Sequence, residues 1–129
     1  GLNGSIGTVP GTDSPGAATF GDLAKAAGFK NGPFAMESYD AAALMLLAME
    51  ATKSSDSQVY KFAIDEIANA PGEKIYPGEL GKALDLVKAG KDIDYVGASA
   101  VELVGGGESA GNYAQIEVQN GKNETVAYR

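Results

Sequence analysis

The stretch "AAALMLLAME", residues 41–50, constrains the fold most, because it is apolar on nearly every face of a helix. A helix of that kind is normally buried on several sides. A chain of 129 residues can bury a real core, but a small isolated domain rarely covers one helix all round. We therefore predict a helix capped at Ser38 or Asp40, running to about Thr52, that requires neighbouring elements.

Three further segments have the apolar periodicity of amphipathic helices and complete a predicted helical block over residues 17–90. The first covers residues 17–28 and ends at Gly28. The second, the clearest one, starts with capping-box spacing at Ser55 and Gln58. The apolar stripes are Phe20, Leu23, Ala24 and Ala27 in the first helix, and Val59, Phe62, Ala63 and Ile67 in the second.

The third segment starts near Pro77, which suits the first turn of a helix, and ends at Gly90. Its apolar stripe consists of Leu80, Ala83, Leu84 and Val87. Its charged residues are interpreted as a solvated face: Glu79, Lys82, Asp85 and Lys88. The pattern then becomes extended: "YVGASAVEL" favours strand and "GGGESAG" a flexible turn.

Two stretches near the chain ends have strand patterns. Ile6–Val9 is a candidate brief strand inside an N-terminal segment rich in Gly, Pro, Ser and Thr, and the alternative for that segment is an exposed linker. Residues 113–128 alternate around Asn120-Gly121, a strong two-residue hairpin signal. The order is therefore helices first and a few strands afterwards, an α/β chain.

Composition excludes several kinds of chemistry. The chain has no cysteine and no histidine, so disulfides, thiolate catalysis and serine–histidine triads cannot be built from it. The net charge of −7 argues against nucleic acid as a partner. The carboxylate pairs Asp65 with Glu66 and Asp92 with Asp94 are interpreted as solvated, and no phosphate-binding glycine motif is complete. We predict no enzymatic activity, metal or cofactor.

Phe34 is the one candidate binding residue. It lies in a loop just ahead of the apolar helix, within "GPFAMESYDAAA". Tyr39, Tyr60, Phe62 and Tyr76 lie on or beside helices and are interpreted as core or rim side chains. From the residues alone, Phe34 is either a core side chain or a ligand contact in a loop held by rigid elements.

Several segments in order resemble one family. They are "FGDLAKAAG", "GPFAMESYDAAALMLLAMEA", "VYKFAIDEIANAPGEKI", "GELGKALDLVKAGKDIDYVGASAVEL" and "YAQIEVQNGK". Together they are similar to the C-terminal portion of type I periplasmic substrate-binding proteins of ABC transporters, of the branched-chain amino acid type. The resemblance covers essentially the whole chain.

The resemblance implies a fragment of a two-lobed fold, about its last third, with segments crossing between the lobes near residues 5–13 and 103–116. It implies an amino acid or similar small polar solute bound between the lobes and delivered to a membrane permease. It also implies a periplasmic or lipid-anchored extracellular location, with the signal peptide outside this chain. The apolar helix at 40–51 would then pack on a sheet that is mostly missing here. An oligomer or a complementary fragment would cover the remaining surface.

The resemblance also bears on single residues. It matches Phe34 to a family position that contacts the ligand side chain, whereas Leu103 to Glu108 departs from the family's aromatic-Asp-x-x-Gly-Asp turn. Two alternatives stay open: a ligand-sensing receptor domain of the same fold, and a small structural or interaction protein without a ligand.

Overall fold

The computed structural model describes residues 1–129 as five α-helices and seven β-strands. The order along the chain is β1 Ile6–Pro10, α1 Pro15–Ala26, α2 Ala35–Thr52, α3 Ser57–Tyr60, α4 Ile64–Ala68, β2 Glu73–Ile75, α5 Leu80–Lys88, β3 Ile93–Tyr95, β4 Leu103–Gly105, β5 Glu108–Ser109, β6 Tyr113–Gln119 and β7 Lys122–Tyr128. The chain is thus an α/β protein, as predicted. No helix is both long enough and apolar enough to cross a bilayer.

The core lies where α2 packs against the parallel strand pair β2–β3, with α4 and α5 beside it. Its buried side chains are Ala43, Leu44, Leu47, Ile67, Ala68, Ile75, Ala83, Ile93 and Tyr95. We call this part, residues 15–109, the main body. The apolar helix therefore has neighbouring elements, as its composition predicts, and they include a parallel sheet of only two strands.

The other face of α2 is not covered by this chain. Met45 and Leu46 are 40% and 50% exposed, and Ala41 and Ala42 beside them are also exposed. Burying a leucine side chain stabilises a protein by about 1.5–3 kcal/mol, so this face retains apolar area that a neighbour could cover. The prediction that the helix needs more cover than a small domain offers agrees with this geometry.

A three-stranded antiparallel sheet, order β1-β6-β7, forms the second part of the molecule. Its hairpin turns at Asn120 and Gly121, whose φ angles of 53° and 77° are those of a type I′ turn. The predicted strand at 6–9 and hairpin at 113–128 are therefore confirmed. β1 pairs with β6 from Ile6 opposite Glu117 to Pro10 opposite Tyr113.

The predicted helix after Ser55 is wrong in detail. It is broken into α3, a 3₁₀ turn at Lys61–Ala63, and α4. Asp56 caps it by accepting a hydrogen bond from the Gln58 amide at 2.8 Å, so the proposed capping box is also wrong. A 3₁₀ turn has three residues per turn rather than 3.6, which rotates the apolar stripe out of register. Phe62, predicted to lie on that stripe, is 75% exposed.

Helix starts were the other errors. α2 begins at Ala35, so Ser38 and Asp40 lie inside it and neither caps it. α5 begins at Leu80, three residues after Pro77. Gly28 and Gly90 do end their helices as predicted, each in the left-handed conformation just past the cap.

Short strands within the main body were missed or misplaced. The strand β2 lies inside the predicted helical block. Of the segment "YVGASAVEL", which was predicted to be extended, only the first residue belongs to β3. The glycine stretch forms the turn between β4, of three residues, and β5, of two residues. Each of these strands is too short to show a period of two.

Candidate functional site

The end of α1 sets one side of the candidate site. Its C-terminus closes in a Schellman motif, in which Phe29 N donates to Ala24 O at 2.8 Å and Gly28 N donates to Lys25 O at 3.1 Å. Gly28 supplies the left-handed residue with φ of 70°. The chain therefore leaves α1 in a fixed direction and returns to α2 through the loop that carries Phe34.

Phe34 occupies the N-cap of α2 in a left-handed conformation, with φ 60° and ψ 10°. That conformation is a genuine outlier for a bulky residue, and it costs about 1–2 kcal/mol. Phe34 O accepts the first helical hydrogen bond from Ser38 N at 3.0 Å, while the side chain is 60% exposed. Phe34 is thus a strained, exposed aromatic at a helix N-terminus, and this chain does not bury it as core. Strain of this kind is characteristic of functional positions.

An apolar groove of about 760 Å³ runs beside Phe34, between α1 and the α1–α2 loop. We call it the Phe34 groove. Lys30 is the one charged residue on its wall, and Ser38 adds a hydroxyl. Its large apolar lining residues are Phe20, Leu23, Phe29, Pro33, Phe34 and Tyr39. A groove of this size and character suits the apolar part of a small molecule.

Tyr39 fixes the floor of this groove. Its ring packs against Phe20, with centroids 5.2 Å apart at 55°, a favourable tilted geometry. Its hydroxyl accepts a hydrogen bond from Gly78 N at 3.1 Å, which links α2 to the turn before α5. Tyr39 is half-buried, within the prediction of a core or rim side chain, and it links α2 to α1 and to the turn before α5.

A buried carboxylate anchors α2 just beyond the groove. Asp40 is 2% exposed, yet it takes part in none of the three ion pairs of the chain. Its Oδ1 accepts from Tyr95 OH at 3.0 Å and from Ala98 N at 2.8 Å. Its Oδ2 accepts from Ser99 N at 2.7 Å and from Ser99 OH at 2.6 Å. Four donors thus satisfy the buried charge in place of a cation.

The chemistry of this cluster is that of an anchor. Burial raises the pKa of the Tyr95 phenol above its usual range, and the Asp40 carboxylate raises it further, so the phenol remains a donor. The cluster holds the turn at residues 97–100 against α2. Gly16 of α1 also touches this turn, because a Cβ there would overlap the Gly97 carbonyl oxygen.

Sequence reasoning identified Phe34 but missed the cluster around Asp40. The structure puts Phe34 on the groove wall, and its contact with a ligand stays a prediction. Of the carboxylate pairs interpreted as solvated, Asp65, Glu66 and Asp92 are exposed and Asp94 is half-buried in β3. No group of three or more acidic side chains is arranged to hold a metal ion.

Comparison with known proteins gives one informative similarity. No family model matches the chain, and no solved structure matches it significantly. The chain is 31% identical over 94 residues to the chemotactic signal transduction system substrate-binding protein BasB of Halobacterium salinarum. The aligned region is 72% of this chain and 23% of the relative, so the chain spans less than a quarter of that protein's length.

Proposed function

We propose that this chain is part of a solute-binding protein of the two-lobed type I periplasmic class, and that the Phe34 groove forms part of one wall of its binding site. The observation that carries the proposal is Phe34 itself, a strained and exposed aromatic beside an apolar groove. The similarity to a substrate-binding protein supports the same class. The solute is an amino acid or a similar small molecule with an apolar part.

In this proposal the main body belongs to one lobe, and β1 and β6 are the segments that cross towards the other. Their antiparallel pairing supports this, because it places the predicted segment at 5–13 beside the end of the one at 103–116. Residues 103–109 of the second segment belong to the β4–β5 pair of the main body. Closure of the two lobes traps the solute. The protein is then periplasmic or extracellular, and a membrane permease of an ABC transporter receives the solute.

A ligand-sensing role is the second candidate. The observation that favours it is the relative's description as part of a chemotactic signal transduction system. In that case a signalling receptor, rather than a permease, recognises the solute-bound form. Solute binding is common to both roles, whereas a purely structural role does not require a large aromatic side chain exposed at Phe34.

Isothermal titration of the full two-lobed protein that contains this chain, with L-leucine, L-phenylalanine and L-glutamine, tests the proposal. We expect saturable binding of at least one of the three, and absence of binding to all of them would contradict it. We expect Phe34→Ala to weaken that binding by about 10- to 100-fold, the effect of losing one buried aromatic contact. The melting temperature should barely change, because Phe34 is mostly exposed.

Two variants make this test specific. In Phe34→Gly, relief of the left-handed strain offsets the added chain entropy of glycine, so stability is kept or slightly raised while binding is still lost. Phe62→Ala removes another exposed phenylalanine, which lies away from the groove, and should leave the affinity unchanged. A large drop in melting temperature for Phe34→Ala, with unchanged affinity, would show a structural role instead.

A further inference from the structure

The three-stranded sheet and the main body meet at a narrow neck, formed by residues 11–14 and 110–112. Within it, Gly11 N donates to Asn112 O at 3.0 Å, so the two strands cross side by side. At Gly111 a Cβ would lie 2.5 Å from the ring of the exposed Tyr113, so a side chain there would have to displace that ring. The neck therefore consists of two chain segments that lie side by side.

One long-range side-chain link joins this neck to the main body. The Asn112 side-chain amide donates to Ser99 O at 3.5 Å and to Ala100 O at 3.4 Å. The other side-chain hydrogen bond between these parts, from Ser109 OH to Ala110 O at 3.2 Å, joins adjacent residues, and no ion pair joins them. Both bonds are near the upper limit of hydrogen-bond length, so they are weak and easily exchanged.

The two acceptors of this link are held rigidly. Ser99 donates twice to the buried Asp40 carboxylate. Ala100 is in the left-handed region with φ of 55°, and Val101 N donates to Val96 O at 3.0 Å to close the turn. The two carbonyl acceptors of this link are therefore fixed relative to α2 and Phe34. Its donor, the Asn112 side-chain amide, lies on the neck.

We propose that Asn112, acting through the turn held by Asp40, is the positioning residue that sets the angle between the three-stranded sheet and the main body. It ties the neck to the same helix that carries Phe34. In a protein that closes about such a neck, a weak amide link to fixed carbonyls can break and reform as the angle changes. The inference goes beyond the proposed function, and its test uses no solute.

The test measures the distance between two spin labels by pulsed electron paramagnetic resonance. The chain has no native cysteine, so Asp85→Cys on α5 and Thr125→Cys on β7, both exposed, give a clean labelled pair. We expect Asn112→Ala to broaden the distance distribution relative to the labelled protein. Asn112→Asp has the same shape but sets a carboxylate against two carbonyls, so it should also shift the mean distance.

The matched control is Asn123→Ala, an exposed asparagine of β7 without a side-chain hydrogen bond, which should leave the distribution unchanged. Melting temperatures of all variants separate a changed angle from partial unfolding. Unchanged distributions in both Asn112 variants would overturn the inference, whatever the outcome of the solute titrations. Broadening in the control as well would also overturn it, since the effect would then not be specific to the link.

Discussion

Replacing Asp40 by alanine should lower the free energy of unfolding by about 3–5 kcal/mol. The carboxylate accepts four hydrogen bonds in a buried site. Its removal leaves two backbone amides and two hydroxyls without their acceptor, and each unpaired buried donor is costly. Urea unfolding of Asp40→Ala against the parent protein measures the difference.

Smaller changes in the same cluster should lower the free energy of unfolding by less, in the order of the number of hydrogen bonds that each removes. Tyr95→Phe removes one donor and keeps the ring, so we expect a loss of about 1 kcal/mol. Asp40→Asn keeps the shape but places an amide group against donors, so its effect should lie between those of Tyr95→Phe and Asp40→Ala. This order distinguishes a hydrogen-bonded anchor from a side chain that only fills space.

Asp85→Ala is the matched control, an exposed aspartate on α5 without a side-chain hydrogen bond. Its effect should stay within about 0.5 kcal/mol. A loss at Asp40 no larger than this would show that water replaces the carboxylate freely. The cluster would then not anchor α2.

The elements with strong local signals were predictable from sequence. Asn120-Gly121 marks the hairpin, because both residues take positive φ at low cost and few other pairs do. Gly28 and Gly90 mark helix ends for the same reason. The apolar stretch at 41–50 correctly predicted a helix that requires neighbouring elements, because a helix that is apolar on nearly every face is normally buried on several sides.

The Asp40 cluster was not predictable from local spacing. Its side-chain partners lie 55 and 59 positions along the chain from Asp40. Next to an apolar run, an aspartate is typical of an N-cap, so local spacing predicts a cap at Ser38 or Asp40. Only the packing of α2 against β3 moves it from a helix end to the middle of a buried network.

The start of α2 shows a similar limit. Its N-cap is Phe34, a residue type with no side chain to accept the free amides. N-cap preferences therefore predicted that the helix starts further along the chain, at Ser38 or Asp40. The conformation of Phe34 depends on the loop that α1 and Gly32-Pro33 impose, and this strain is the part of the site that sequence could not predict.

Replacing Gly97 by alanine should lower the free energy of unfolding by about 3 kcal/mol or more. Two separate effects add at this position. Gly97 has φ of 63°, which a residue with a Cβ takes up at a cost of about 1–2 kcal/mol. A Cβ would also overlap the Asp40 carboxylate and lie 2.6 Å from the Tyr95 ring, so the added methyl displaces the anchor itself.

Gly90→Ala separates the two effects. Gly90 has φ of 68°, almost the same as Gly97, but nothing lies within 4 Å of the position a Cβ would take. It should therefore lose only the conformational part, about 1–2 kcal/mol. The excess loss in Gly97→Ala, measured by urea unfolding of both variants, is then the contribution of close contact with the Asp40 cluster. Equal losses in the two variants would mean that the turn moves aside at no cost, and α2 would be held by the apolar core alone.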